Sequence, residues 1–220
     1  NPRTRNPRGR SRGYGTKIGE HKALPIGDRV NLINEIEDLA RNDGGLIWTM
    51  MDRIGDHVVG EGIFPQARTT DHAWNEAAER YFVKFWSPTA DFESRQNFPF
   101  IGAGQRILIN EAFMRGESFI KLLTDSQIQW YESELCRSPA TKSEEGRIQD
   151  GIQLTAAGSV QAYYFVLPQE EFTTEERVDR VTRNNLIHGV PKYFRSRQRR
   201  GIPILAPMVG RMQQFGETTD

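Results

Sequence analysis

The sequence predicts an α+β protein, on the strength of three observations. Apolar residues recur every three to four positions from Gly27 to about Arg115, the spacing of helices with one buried face. Beyond Gly116 the spacing shortens towards two, the mark of strands. A Pro-rich apolar segment, residues 202–209, then opens onto a last helical pattern. Helices followed by strands, without βαβ alternation, argue for an antiparallel sheet and against a doubly wound fold.

The first 25 residues stand apart. NPRTRNPRGRSRGYGTKIGEHKALP is rich in Arg, Gly, Pro and Asn, and holds too few apolar side chains to offset the entropy of ordering it. It is expected to be a disordered basic arm. A first helix follows with Val30, Ile33, Ile36 and Leu39/Ala40 on one face, Asp28 near its start, and a stop at the Asn-Asp-Gly-Gly of 42–45. A second, from about Leu46 to Val59, places Ile47/Trp48, Met51, Ile54 and Val58 in a stripe and makes a helical hairpin with the first. A third, His72 to Trp86, has Trp74, Ala77/Ala78, Tyr81/Phe82 and Phe85 on its expected inner face. A fourth, about Ile101 to Arg115, carries Ile107, Leu108, Ala112 and Phe113.

Strands are expected at 117–124 and 128–135, joined across Asp125-Ser126, and at 151–155 and 160–167, joined around Ala156-Ala157-Gly158-Ser159. The polar stretch 138–150 reads as a loop between the two pairs, and a further strand is expected at 183–188. Residues 26–200 thus form one α+β domain, with 201–220 as the start of another helix.

Charge separates the same regions. The chain of 220 residues is formally neutral, with 29 basic and 29 acidic side chains. Residues 1–22 hold seven basic residues against one acidic, a net of +6, so the remainder carries −6. Near the C-terminus, KYFRSRQRR (192–200) places five positive charges among nine residues. Arg3, Arg5, Arg8, Arg10 and Arg12 of the arm and Arg195, Arg197, Arg199 and Arg200 of this loop are therefore the candidates for contact with phosphates or with an acidic protein surface. Tyr193 and Phe194 are positioned beside them to stack on bases.

Signals for catalysis are weak. There is no G-x-S-x-G elbow, no H-E-x-x-H and no G-x-x-x-x-G-K-[ST] phosphate loop. The Gly102-Ala103-Gly104-Gln105-Arg106 stretch reads as a helix entry. Cys136, with His57, His72 or His188, is the nearest approach to a thiol nucleophile and base, and a lone structural thiol is the better reading. His57 is expected to be half-buried beside the stripe of the second helix. The pairs Glu144/Glu145, Glu170/Glu171 and Glu175/Glu176 read as solvated loops, and no Cys/His spacing suits zinc. No cofactor and no metal are expected, and no apolar run approaches the 18 or so residues of a membrane-spanning helix.

An ordered series of segments decides among the remaining readings. DHVVGEGI (56–63) is followed by PQARTTD (65–71), by WNEAAERYFVKFW (74–86) leading to a turn with Asp91, and by MRGESFIKLL (114–123). IQWYESELC (128–136), Asp150-Gly151-Ile152, Tyr163-Tyr164, LIHGV (186–190) and RRGIPILAPMVGRMQQF (199–215) continue it. From about Arg29 onward the series resembles the lambda-like family of tailed-phage portal proteins. The resemblance implies a non-enzymatic ring component, usually of twelve subunits, at one vertex of the capsid. Double-stranded DNA would pass through its channel during packaging and ejection. Its partners would be further copies of itself, the major capsid protein, terminase and head–tail connector proteins. It further implies that 26–200 are a wing-like domain and 201–220 the start of a stem helix. With Asn1 in place of Met, and stem, clip and crown expected beyond residue 220, the chain is expected to be part of a longer polypeptide. The alternative reading is a nucleic-acid-binding module built on the arm and the 192–200 loop.

Overall fold

The computed structural model describes residues 26–42, 45–86, 99–123, 127–140, 148–168, 176–193 and 198–209. Four helices precede two antiparallel sheets, so the architecture is α+β. Helix α1 (Ile26–Asn42) packs Ile33, Ile36 and Ala40 inward, as its spacing predicts. Helix α2 (Leu46–Val58) follows. Its buried line is Ile47, Met51, Gly55 and Val59, rotated from the expected one, and Trp48 and Val58 are exposed. Gly55 explains the rotation. A methyl group there would lie 3.1 Å from Nη1 of Arg106, whose guanidinium crosses this face to reach Asp56 at 2.7 Å and the Gly60 carbonyl at 3.1 Å. His57, expected half-buried, is exposed, because two residues beyond Gly55 the helix turns its side chain to the opposite face.

Helix α3 (His72–Trp86) has the predicted bounds but not the predicted burial. Asp71 caps it, accepting from the Trp74 amide at 3.0 Å. Among side chains 72–84 only Asn75 is buried; of the stripe expected to face the core, Trp74, Ala77 and Tyr81 are exposed and Ala78 and Phe82 half-buried. The expected fourth helix is a compound element: α4 (Gln105–Asn110) lies between π-type turns at Phe100–Gly104 and Glu111–Arg115. Gly102, with φ of 79°, makes the entry bend.

The first sheet has the order β2-β1-β7, from β1 (Ser118–Leu122), β2 (Ile128–Tyr131) and β7 (Leu186–Gly189). The second has the order β3-β4-β5-β6, from β3 (Ile148–Gln149), β4 (Ile152–Leu154), β5 (Val160–Val166) and β6 (Val178–Thr182). Two expectations are corrected. Arg183–Asn185 is a 3-10 turn, with strand only from Leu186, and the polar excursion before Gly151 ends in a strand. The turn between β4 and β5 forms where predicted: Gly158, at φ of 81°, donates to the Thr155 carbonyl at 2.9 Å. The expected 124–126 turn, most of the 138–150 excursion and the part of the expected 201–220 helix beyond Val209 fall outside the described residues, and before Val209 that segment is irregular with a 3-10 turn at Ala206–Met208, as Pro203 and Pro207 interrupt it.

Register pairs Phe119 with both Tyr131 and His188. Directly opposed residues share a face, so these rings point together at the second sheet. Phe119 meets Phe165 edge-on at 5.3 Å and stacks on His188 at 4.4 Å, while Tyr131 stacks on Phe165 at 4.1 Å. Ile152, Tyr163, Val181 and Leu186 complete this core. Lys121 of the central strand β1 ties the first sheet to the second through Asp179 of the edge strand β6 at 2.5 Å. A second core joins Ile36, Ala40, Ile47 and Met51 of the first two helices to Met114, Leu205 and Val209. The C-terminal segment is therefore part of the helical layer.

Candidate subunit and nucleic-acid interface

The region around residues 192–201 is built on one buried carboxylate. The helical layer ends at Gly116, in the left-handed conformation with φ of 80°, and the chain turns sharply into β1. That turn leaves Glu117 fully buried. Its Oε1 accepts from Arg29 of α1 at 2.5 Å, from Ser133 at 2.6 Å and from Arg200 Nε at 2.9 Å. Its Oε2 accepts from the Gly201 amide at 2.8 Å and lies 3.1 Å from His188 Nε2. Burial by itself would raise this carboxyl, but Arg200, the bond to His188 and Arg29 outweigh it and hold the group well below the ordinary carboxylate range.

Arg200 is equally committed. Its guanidinium donates to the carbonyls of Cys136 at 2.6 Å, Asp150 at 2.5 Å and Ser133 at 2.9 Å as well as to Glu117. Against the cost of burial, chiefly Glu117 raises its pKa above the usual arginine value. Arg29 donates to the Gly201 carbonyl at 2.8 Å, and for this second guanidinium burial prevails and lowers the pKa. Five segments of the chain thus meet at Glu117.

The candidate cations are divided by this arrangement. Arg200 lies inside the subunit with its donors taken up, so it offers nothing to a phosphate. Arg199 lies on the outer side, donating to the Gly158 carbonyl at 2.6 Å and lining a hollow of about 540 Å³ with Tyr163, Arg183, Asn184, His188 and Tyr193. Among the described residues no Asp or Glu lines that hollow. Gln198 donates to the carbonyls of Lys192 and Arg200 at 3.3 and 3.0 Å. Arg183, in the strand that the sequence pattern predicts, is instead brought to this rim by the 3-10 turn at Arg183–Asn185. Arg3, Arg5, Arg8, Arg10, Arg12, Arg195 and Arg197 lie outside the described residues.

The residues considered for catalysis are not brought together. Cys136 is buried at the crossing of the two sheets, its thiol pushed up to about 12 by burial. His57 and His72 are exposed, and His188 faces Glu117 through one ring nitrogen and the Tyr163 hydroxyl, at 3.3 Å, through the other. Glu176 accepts from the Ala140 amide at 3.0 Å, and the other paired glutamates lie outside the described residues. No group of His, Cys, Asp and Glu among the described residues is arranged to hold a metal ion. None of the helices described is long and apolar enough to cross a membrane.

Residues 8–220 match the family described as phage portal protein, lambda family. The chain belongs to that family. No curated protein matches it. The family is structural, and membership makes this a phage portal chain, a homo-oligomeric ring component of the capsid. The Glu117 cluster is the principal buried polar feature of this portal chain among the described residues. It ties α1, the turn into β1, the β3–β4 turn and the start of the segment from Arg200 together through buried charge.

Proposed function

We propose that this portal chain is a structural subunit of the ring at the capsid vertex, forming the conduit through which double-stranded DNA passes during packaging and ejection. We further propose a dodecamer that docks the major capsid protein, terminase and the head–tail connector proteins and resides in the virion after assembly in the host cytoplasm. The observation that carries this reading is the family match, which spans all but the first seven residues. Residues 26–200 serve as the wing-like domain and 201–220 lead into the stem. The arm, 1–25, reaches an acidic neighbour or capsid surface, which the split of +6 and −6 supports. Chemistry is left to the terminase.

A second reading concerns DNA. The hollow with Arg183, Arg199 and Tyr193, and no carboxylate among the described residues, favours non-specific phosphate contact, to which Arg195 and Arg197 would add. Deletion of the gene tests the principal reading. Heads formed without the protein are expected to contain no DNA, and DNA-filled heads in its absence would contradict it. Binding of the purified protein to duplex DNA, followed across salt concentration, tests the second: a log–log slope near zero would remove it.

A further inference from the structure

Among the described residues five arginines are buried or half-buried, and four of them meet a carboxylate. Arg29 and Arg200 meet Glu117, Arg115 meets Glu37, Glu111 and Glu134, and Arg106 meets Asp56. Arg199 is the fifth. Its guanidinium is held by the Gly158 carbonyl at 2.6 Å and meets no carboxylate among the described residues. A cation drawn partly out of water without a counter-charge is costly, and one nitrogen fixed in this way keeps the remaining donors of the planar fork in a set direction. Arg199 lines the hollow of about 540 Å³, and Arg183, also without a carboxylate partner among the described residues, lines it too. The polarity of its wall is fixed from behind. Glu117 is held ionised and can only accept, so His188 turns the N–H of Nε2 towards it. In the neutral ring Nδ1 then accepts, and the Tyr163 hydroxyl 3.3 Å away is its donor. Burial raises the Tyr163 phenol to about 12, so that proton is present at neutral pH. The Tyr163 oxygen is left with acceptor capacity alone, and Tyr193, 59% exposed, adds a flat aromatic face to the same hollow.

We propose that this hollow is a discrete site for one nucleotide, with its phosphate on Arg199 and Arg183, a sugar hydroxyl donating to the Tyr163 oxygen and its base on the ring of Tyr193. A phosphate supplies the counter-charge that Arg199 lacks and matches a guanidinium fork with two oxygens. The volume lies within the range of about 300–1,000 Å³ usual for small-molecule sites. This is the hollow read above as a phosphate contact, and the proposal rests on that reading for the charge of its ligand. It departs from it in the ligand itself. Duplex DNA keeps its bases stacked inside and can offer such a hollow only its backbone. A free nucleotide, or the end of a single strand, presents a phosphate, a hydroxyl and a base face together. A carboxylate from another protein would satisfy the arginines but leave the Tyr163 acceptor and the Tyr193 face unused.

Equilibrium dialysis of the full-length protein against adenosine 5′-monophosphate tests this. Saturable binding of one molecule per chain is expected, and Arg199→Gln and Arg183→Gln should each weaken it about tenfold or more, the worth of a charge-assisted pair. Arg183 is exposed, so its variant keeps the wild-type unfolding midpoint and holds the test apart from folding. Adenosine and inorganic phosphate should each bind about tenfold or more weakly than the nucleotide, and Arg53→Gln, exposed on α2, should change nothing. No saturable binding at millimolar nucleotide, affinity unchanged by both hollow variants, an equal loss in Arg53→Gln, or inorganic phosphate bound as tightly as the nucleotide would each overturn the proposal. Competition by a 5′-phosphorylated single strand assigns the nucleotide to a strand end, and competition by free nucleotides alone assigns it to the solution pool; either result upholds the site. Failure of the earlier reading looks different: duplex DNA that the nucleotide does not displace removes the duplex contact while saturable nucleotide binding stands, and duplex binding lost in Arg183→Gln without any nucleotide site does the reverse.

Discussion

Glu117 and Arg200, 83 positions apart, share a buried contact in which both carboxylate oxygens accept from the same guanidinium nitrogen, at 2.9 and 3.1 Å. Around it the Arg29 guanidinium, a serine hydroxyl, a histidine and a backbone amide use the remaining acceptor positions. Such a site is worth little over an apolar replacement of the whole cluster, but removing one member strands the others.

Glu117→Gln is therefore expected to destabilise the protein by about 3 kcal/mol or more, since two guanidiniums lose their buried counter-charge. Urea unfolding checks this. The sign of the pH effect is also set: with its folded pKa held below the ordinary value, Glu117 stabilises the fold above the usual carboxyl range and ceases to do so only in strong acid. The variant should lose that acid limb.

Gly201 passes directly over Gly116. A methyl group on Gly201 would lie 1.8 Å from the Gly116 carbonyl oxygen, and one on Gly116 would lie 2.2 Å from the Ile202 carbonyl carbon. Gly201→Ala is expected to cost at least about 2 kcal/mol and to release Leu205 and Val209 from the helical core. Limited proteolysis after residue 200 would report the release, and wild-type resistance would refute it.

These two positions show what sequence could and could not convey. The fold class, the bounds of α3 and the β4–β5 hairpin follow from period and turn chemistry, which are local. Burial of Arg29, Glu117 and Arg200 does not, because a charged residue reads as surface until its partners 80 or more positions away are known. Arg200 was grouped with the outer cations because its neighbours in the chain are basic. The stripe of α3 reads as a core face for the converse reason: periodicity identifies an apolar face but not how deeply the fold buries it.

Glu111 supplies a pH dependence of the opposite sense. It shares Arg115 with Glu37 and Glu134, its Oε2 is buried with no hydrogen-bond partner among the described residues, and burial raises it to about 7. A carboxyl raised on folding favours the folded state at low pH and loses that advantage as pH rises through the folded value. Stability should therefore decline between about pH 4.5 and 7 and level off above. Glu111→Gln should flatten this slope and gain on the order of 1 kcal/mol over wild type at pH 8. An unchanged slope would show that Glu111 does not titrate there.

Cys136 should behave as a structural thiol. With its side chain buried and its pKa near 12, alkylation in native buffer is expected to be no faster than global unfolding, and to become fast in denaturant. Rapid modification of the folded protein would revive a thiol nucleophile.

The central claim is that this chain builds a ring, and particle mass together with negative-stain imaging of the full-length protein tests it most directly. The account predicts closed rings with a central hole wide enough for duplex DNA, in a narrow distribution of subunit number centred on about twelve. A monomer at every concentration, or a two-fold dimer as the end state, would contradict it.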